Sequence, residues 1–261
     1  MPEGDTIHRT ANRLRPALAG AELVAFRAPR LAGDRPRHGE QIISVVAQGK
    51  HLMITFSGGL VLETHMKMTG SWHLYETGQK WRKPAEYARV VIEVPGWTAV
   101  CFSAPVVKIG APSAVGRADL GPDLCLEDVD ISEVVTRART LVGSDEMIAD
   151  VLLDQRVASG IGNVYKSEVL WSLQTNPFDT IDTVSDELLL KLYGRASKLL
   201  IVNLSTTSRT TVPGGLAVYG RRGKACRRCG TPILKKEQGQ YARITTWCPR
   251  CQPPSVAMQE S

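Results

Sequence analysis

"CRRCGTPILKKEQGQYARITTWCPRC" (residues 226–251) is the stretch with the least structural freedom. Cys226, Cys229, Cys248 and Cys251 form two CxxC pairs separated by 18 residues. Each pair can present two thiolates to one metal from a tight turn, and two such turns complete a closed four-sulfur site. A hairpin over "TPILKKEQGQYARITTW", with its tip near "QGQ" (238–240), would bring them together. The expected cofactor is one structural Zn2+. All four positions are Cys, which leaves no open coordination position for catalysis. No secretory segment is visible, which argues against disulfides. Cys101 and Cys125 read as packed or free thiols. From Arg221 to Cys251 there are nine Lys or Arg and one acid, Glu237, in a chain of net charge +6. That bias points to a polyanionic partner. Arg243, on the second half of the hairpin, is the side chain we expect to face a phosphate or an active site.

Upstream lies "LLDQRVASGIGNVYKSEVLW" (152–171), which reads as helix, turn, helix. Gly160 and Gly162 allow close backbone approach, and Asn163 is a candidate helix cap. A helix N-terminus with free N–H groups suits a phosphate, although a tight interhelical turn explains the same residues. Helical periodicity predicts helices over 131–141, 145–154, 163–173 and 185–204. The polar segment 205–224 is long for a structureless connection and reads as a candidate mobile loop.

The first part of the chain has a different pattern. Ile7, Ala11, Leu14 and Leu18 recur at helical spacing over residues 5–18, with Gly20 beyond the end and Pro16 able to break the last turn. "AELVAFRA", "QIISVVAQ", "KHLMITFS", "LVLETHM", "ARVVIEV" and "TAVCFS" then read as strands, with turns at "SGG" (57–59) and "PG" (95–96). Residues 21 to about 110 are expected to form an antiparallel sandwich or barrel. The 261 residues allow one large or two smaller domains. No run of 18 apolar residues is present, and Asp5, His8, Arg9, Arg13 and Arg15 interrupt any signal-peptide core. The expectation is an intracellular protein.

The chain opens "MPEGDTIHRT". Pro2 could simply start a helix. Met removal before a small residue would instead leave its secondary amine free. An α-amine has a pKa of about 8 against about 10.4 for lysine, so roughly a tenth is neutral near pH 7 without burial. Such an amine is a candidate nucleophile, and an iminium formed from it is an electron sink for elimination. Glu3, adjacent in sequence, is a candidate proton donor.

"MPEG", "QGKHL" (48–52), "THMKMTGSW" (64–72), "LLDQ…SGIGNVYKSEVLW" and the four-Cys ribbon resemble, in order and over nearly the whole chain, the formamidopyrimidine-DNA glycosylase and endonuclease VIII family. "MPEGDTIHR" is closer to the endonuclease VIII branch. The resemblance implies an α+β, multi-domain fold. Residues 1–120 would form a β-sandwich led by a helix, 121–130 a linker, 131–215 a helix–two-turn–helix domain and 220–254 the zinc finger. DNA would lie between the domains. The implied activity is that of a bifunctional glycosylase and AP lyase of base excision repair. It would remove oxidised bases, pyrimidines favoured, and then cut by β,δ-elimination.

The resemblance further implies Pro2 as Schiff-base nucleophile and Glu3 as acid–base residue. Lys50 would assist elimination and contact phosphate, and Asn163 and Arg243 would hold the phosphates flanking the lesion, with Arg243 also serving δ-elimination. His65 matches a phosphate-contacting histidine. A flipped base leaves a hole in the stack, and Met68 in "KMTG" is the candidate wedge, flanked by Lys67 and Thr69, where endonuclease VIII tends to have Gln and Tyr. Near "LGPD" Asp119 stands where relatives often carry a basic contact, with Arg117 two residues back. The expected partner is duplex DNA with oxidised-base or abasic lesions, bound by a monomer in a bacterial, nucleoid-associated cytoplasm with no membrane. The rival readings are a formamidopyrimidine and 8-oxoguanine preference, and a catalytically silent zinc-ribbon DNA-binding protein.

Overall fold

The computed structural model describes residues 2–116, 118–206, 208–239 and 242–255. The chain folds as two compact units that divide between Ala118 and Asp119. The first begins with helix α1 (Gly4–Leu18), whose Ile7, Ala11, Leu14 and Leu18 are buried as the periodicity requires. Pro16 does not break it. The proline sits in the last turn, where Ala19 N–H still reaches the Arg15 carbonyl at 2.9 Å.

Eight strands follow: β1 (Ala25–Arg27), β2 (Ile42–Gln48), β3 (His51–Phe56), β4 (Val61–His65), β5 (Ser71–Glu76), β6 (Ala88–Val94), β7 (Trp97–Phe102) and β8 (Val106–Gly110). They form two antiparallel four-stranded sheets, ordered β1-β6-β7-β5 and β2-β3-β4-β8. Residues from both sheets and the α1 stripe make one core, including Ile42, Val45, Leu52, Ile54, Phe56, Leu62, Trp72, Val90 and Ile92. Trp72 Nε1–H donates to Thr64 Oγ1 at 3.0 Å and ties β5 to β4. β5 and β8 are additions to the strands expected from sequence. The turns at Gly59 and Gly96 have φ of +87° and +82°, which favours glycine.

The second unit holds α2 (Ile131–Leu141), α3 (Ile148–Val151), α4 (Asn163–Ser172) and α5 (Asp186–Val202), then the hairpin β9 (Leu234–Gln238) and β10 (Arg243–Trp247). Asp130 caps α2 by accepting from Ser132 N–H and Glu133 N–H, and Ser185 caps α5. α3 is shorter than the ten residues expected, because Leu153 N–H and Asp154 N–H close tight turns onto Asp150 and Val151. Residues 121–126 are stitched to the 155–159 loop through Gly121 N–H to the Gln155 carbonyl and Ser159 N–H to the Pro122 carbonyl, both 2.8 Å. α4 is buried from Asn163 through Trp171.

The segment after α5 is pinned. The buried Glu168 carboxylate accepts from the N–H groups of Ala217, Val218 and Tyr219 at 2.7, 2.9 and 2.8 Å, and from the Thr211 hydroxyl. Asn203 bonds the Thr210 backbone, and the Arg227 guanidinium bonds the carbonyls of Pro213 and Gly214. Side chains therefore supply the partners that regular structure would have supplied, and the long connection needs none of its own. Glu168→Ala leaves the buried N–H groups of Ala217 and Val218 unsatisfied, at about 1–3 kcal/mol each. Urea unfolding should show at least about 2 kcal/mol of lost stability; an unchanged midpoint would mean that the loop does not depend on this carboxylate.

Candidate active site and metal centre

Pro2 lies before the N-cap of α1, which is Glu3, and the helix starts at Gly4. Pro2 is thus not the first helical residue, and helix initiation does not account for it. Glu3 is fully buried, and its carbonyl accepts from Thr6 N–H and Ile7 N–H. As the N-cap residue it stands at the positive end of the α1 dipole.

Lys50 follows Gly49 (φ +57°) in the turn between β2 and β3 and is half-buried. Around it is a histidine pair that sequence reasoning only half found. His51 Nδ1 lies 2.6 Å from Glu63 Oε1, and Glu63 Oε2 accepts from Gly116 N–H at 2.8 Å. The His51 and His65 rings meet edge-on with centroids 4.7 Å apart. Burial raises the Glu63 pKa, but the Gly116 N–H and the adjacent His51 outweigh it and leave a net lowering. Burial, with His51, Lys50 and Lys67 nearby, pushes His65 down to about 4. Lys67 N–H donates to His65 Nδ1 at 3.1 Å, so His65 is neutral and carries its proton on Nε2.

Residues 66–70 form a tight loop closed by Gly70 N–H to the Met66 carbonyl at 2.8 Å and propped by Thr69 Oγ1–H on the Ser103 carbonyl. A Cβ at Gly70 would meet Met66 Cα at 2.8 Å and Ala104 Cα at 2.9 Å, so only glycine fits. Met66 is buried, whereas Met68 is 67% exposed, which excludes core packing for Met68. Cys101 and Cys125 are buried, and burial raises the Cys101 thiol to about 12, as for packed thiols.

In the second unit, Asn163 is the first residue of α4 and not its cap; the cap position is Gly162. The turn before it is templated by Gln155, whose side chain bonds Gly160 N–H and the Ile161 carbonyl, and Gly160 has φ of +109°. The Asn163 side-chain oxygen is buried with no hydrogen-bond partner among the described residues. Arg243 is exposed at the start of β10, paired across the hairpin with Gln238. Arg117 lies outside the described residues, so no contact near Asp119 is assigned to it.

The four ribbon cysteines have sulfurs within 4.8 Å of one another and could hold a metal ion. Cys226 Sγ and Cys251 Sγ are 3.9 Å apart, and Cys229 Sγ and Cys248 Sγ 3.4 Å, too far for disulfides. Hydrogen bonds from the Thr231 side chain and backbone lower Cys229 to about 6, while burial and the other sulfurs raise Cys251 to about 12. Four sulfurs this close cannot all ionise without a cation among them. Trp171 Nε1–H and Arg228 N–H both donate to Cys226 Sγ at 3.4 Å, an outer shell that favours a thiolate.

The formamidopyrimidine-DNA glycosylase N-terminal domain model matches residues 1–105, and the H2TH domain model of the same enzyme matches 120–212. A probable endonuclease 8 2 of Streptomyces coelicolor is 38% identical over 97% of this chain and 94% of its own length. This chain belongs to the formamidopyrimidine-DNA glycosylase and endonuclease VIII family. The DNA-(apurinic or apyrimidinic site) lyase Nei2 of Mycolicibacterium smegmatis is 35% identical over 98% of this chain and all of its own. Among solved structures, the Lactococcus lactis Fpg protein in complex with abasic-site DNA shares the family fold with a TM-score of 0.80 at 22% identity, over 96% of this chain and 99% of that one. Against this family background, the Glu63–His51 pair is what the motifs alone did not disclose. Its signal was an acid inside the apolar run "LVLETHM".

The lowered His65 pKa has a testable sign. Between about pH 6.5 and about 4 the unfolded chain takes up a proton at His65 and the folded chain does not. Stability therefore falls as pH drops through that window, and Glu63 adds a loss below its ordinary 4.5. Melting temperature followed across these pH values should fall less steeply in His65→Gln than in the parent protein. Equal slopes would show that His65 is protonated in the fold.

Proposed function

We propose that this protein is a bifunctional DNA glycosylase and AP lyase of base excision repair, of the endonuclease VIII branch, acting on oxidised pyrimidines. The observation that carries the reading is a Pro-Glu start in which Glu3 is buried at a helix N-cap directly beside Pro2. With Met1 removed, the Pro2 nitrogen attacks C1′ of the damaged nucleotide. The N–C1′ bond forms as the bond to the base breaks, and the proton on the Pro2 nitrogen passes to the departing base. The nitrogen lone pair then expels O4′: the C1′–O4′ bond breaks, Glu3 protonates O4′, and the C1′=N iminium remains. The iminium draws off the electron pair of the C2′–H bond, and the strand breaks at C3′–O. Lys50 assists that elimination and contacts phosphate.

Met68 fills the space vacated by the flipped base; its exposure on the rigid 66–70 loop supports this role. Lys67, beside it, contacts DNA. His65, neutral and with its Nε2–H available, donates a hydrogen bond to phosphate. Asn163 and Arg243 grip the phosphates flanking the lesion by donating from the Asn163 amide N–H and the Arg243 guanidinium. Arg243 also serves δ-elimination.

The metal is zinc. A Zn–S distance of about 2.3 Å in a tetrahedron places sulfurs about 3.8 Å apart, close to the 3.4 and 3.9 Å between the cysteine pairs. When bound it cross-links the two CxxC turns and holds the hairpin that carries Arg243. The protein acts as a monomer on lesion-bearing duplex DNA. Its place is the bacterial cytoplasm, associated with the nucleoid, where its DNA substrate lies.

Single-turnover excision should be faster on thymine glycol and 5-hydroxypyrimidines than on 8-oxoguanine opposite cytosine. The reverse order would move the chain to the formamidopyrimidine branch. A variant that retains Met1 should lose borohydride-trapped adduct while keeping its DNA affinity, and a normal adduct yield would sink the Pro2 assignment. Arg243→Ala should lose at least about tenfold in affinity for lesion DNA with zinc content unchanged, because a guanidinium–phosphate fork contributes about 1.5–3 kcal/mol per bond. Cys248→Ser should lose zinc and show the same DNA defect. A zinc-depleted protein that binds and cleaves normally would refute the link between metal and arginine.

A further inference from the structure

Lys166 is fully buried, yet it stands one turn into α4 after Asn163. Its Nζ donates to Thr245 Oγ1 at 2.8 Å and to the Ile244 carbonyl at 3.2 Å, both on β10. Thr245 Oγ1–H continues to Gln238 Oε1 at 2.8 Å. Gln238 Nε2–H then donates to Asp150 Oδ2 and to the Pro177 carbonyl, each at 3.2 Å. Gln238 is the cross-strand partner of Arg243, and Ile244 is its chain neighbour. At the tip, a Cβ on Gly239 would lie 2.5 Å from Asp150 Oδ1, so the turn is seated directly against α3.

A buried ammonium is a costly way to glue a helix to a hairpin. Apolar side chains of the same volume would do that at least as well. Directed hydrogen bonds do what apolar packing does not: they set the height and rotation of β10 against α4. This chain of bonds starts at Lys166, one helical turn after Asn163, and passes through Gln238, the cross-strand partner of Arg243, so it links the elements that carry the two residues assigned above to phosphate. Lys166 itself has no exposed surface with which to touch DNA.

We propose that Lys166 is a positioning residue that, through Thr245 and Gln238, sets the position of Arg243 relative to Asn163, and so the phosphate spacing the enzyme accepts. The inference rests on the phosphate role given to Arg243 under the proposed function. Lys166 works through the hairpin and takes no part in the chemistry at Pro2. Removing it therefore changes how DNA is held and how far elimination proceeds, and leaves iminium formation intact once DNA is bound.

The test uses the full-length zinc-loaded protein and a duplex containing a preformed abasic site. Lys166→Met, Lys166→Arg, Thr245→Val and Arg243→Ala are compared, together with the double variants Lys166→Met/Arg243→Ala and Thr245→Val/Arg243→Ala. Measured are zinc content, duplex affinity, the ratio of δ- to β-elimination product, and the borohydride-trapping rate at saturating DNA. Lys166→Met should keep its zinc and its trapping rate, lose about tenfold in affinity, and shift products toward β-elimination. In the Arg243→Ala background the same change should add less than about twofold, because coupled residues do not add. Lys166→Arg should recover most of the loss. Should Lys166→Met fold poorly, Thr245→Val breaks the same chain without removing a charge, and should show the same product shift and the same non-additivity.

Normal affinity and product ratio in Lys166→Met, alongside a defective Arg243→Ala, would overturn this inference alone. A full multiplicative loss in the double variants would also overturn it, by making Lys166 a general stability residue. An Arg243→Ala protein with normal affinity and products would instead bring down the phosphate assignment beneath it.

Discussion

Helix α4 bonds forward in sequence from several of its faces, and the second unit depends on that constraint. Lys166 reaches β10, Glu168 holds residues 211 and 217–219, and Trp171 donates to the Cys226 sulfur while its ring carries the Arg228 guanidinium 4.2 Å from the centroid. Each of these groups is buried, so each would be costly without its partner. One ten-residue helix therefore places the loop, the hairpin and the four-cysteine centre, while its first residue is Asn163. A ribbon of this size has too little apolar core to orient itself. The four clustered cysteines could close it on a metal ion, and α4 orients it.

In the first unit the same economy operates on a smaller scale. The sandwich supplies strand ends, and the residues proposed to meet DNA lie at those ends: Lys50 between β2 and β3, His65 at the end of β4, Met68 in the turn before β5. The Glu63 carboxylate is tethered by Gly116 and holds His51, and burial, with the cations nearby, keeps His65 neutral. A neutral imidazole next to two lysines can donate a hydrogen bond without adding a third charge.

Much of this was legible in the chain. Four cysteines at ribbon spacing and a helix with Ile7, Ala11, Leu14 and Leu18 on one stripe leave few alternatives, and both are found. β8 was not legible because it follows Pro105 and lies at a half-exposed sheet edge. β5 was obscured because its first residues also belong to the "MTGSW" loop motif. Asn163 reads as a cap from its residue type, but the left-handed Gly160 and the extended Gly162 move the cap back by one. Lysine and glutamate on a helix ordinarily face solvent, which Lys166 and Glu168 do not. Only tertiary structure shows that α4 has no solvent face there. The His51–Glu63 contact is likewise a matter of strand register, since twelve positions separate the two residues.

The central claim is that a chain-terminal secondary amine, beside a buried carboxylate, performs the chemistry. The most direct measurement is to reduce the enzyme–DNA adduct with borohydride, digest the protein and locate the modified residue by mass spectrometry. The account predicts the deoxyribose remnant on the nitrogen of Pro2, in a peptide lacking Met1. A remnant on Lys50, or on any other lysine, would contradict it.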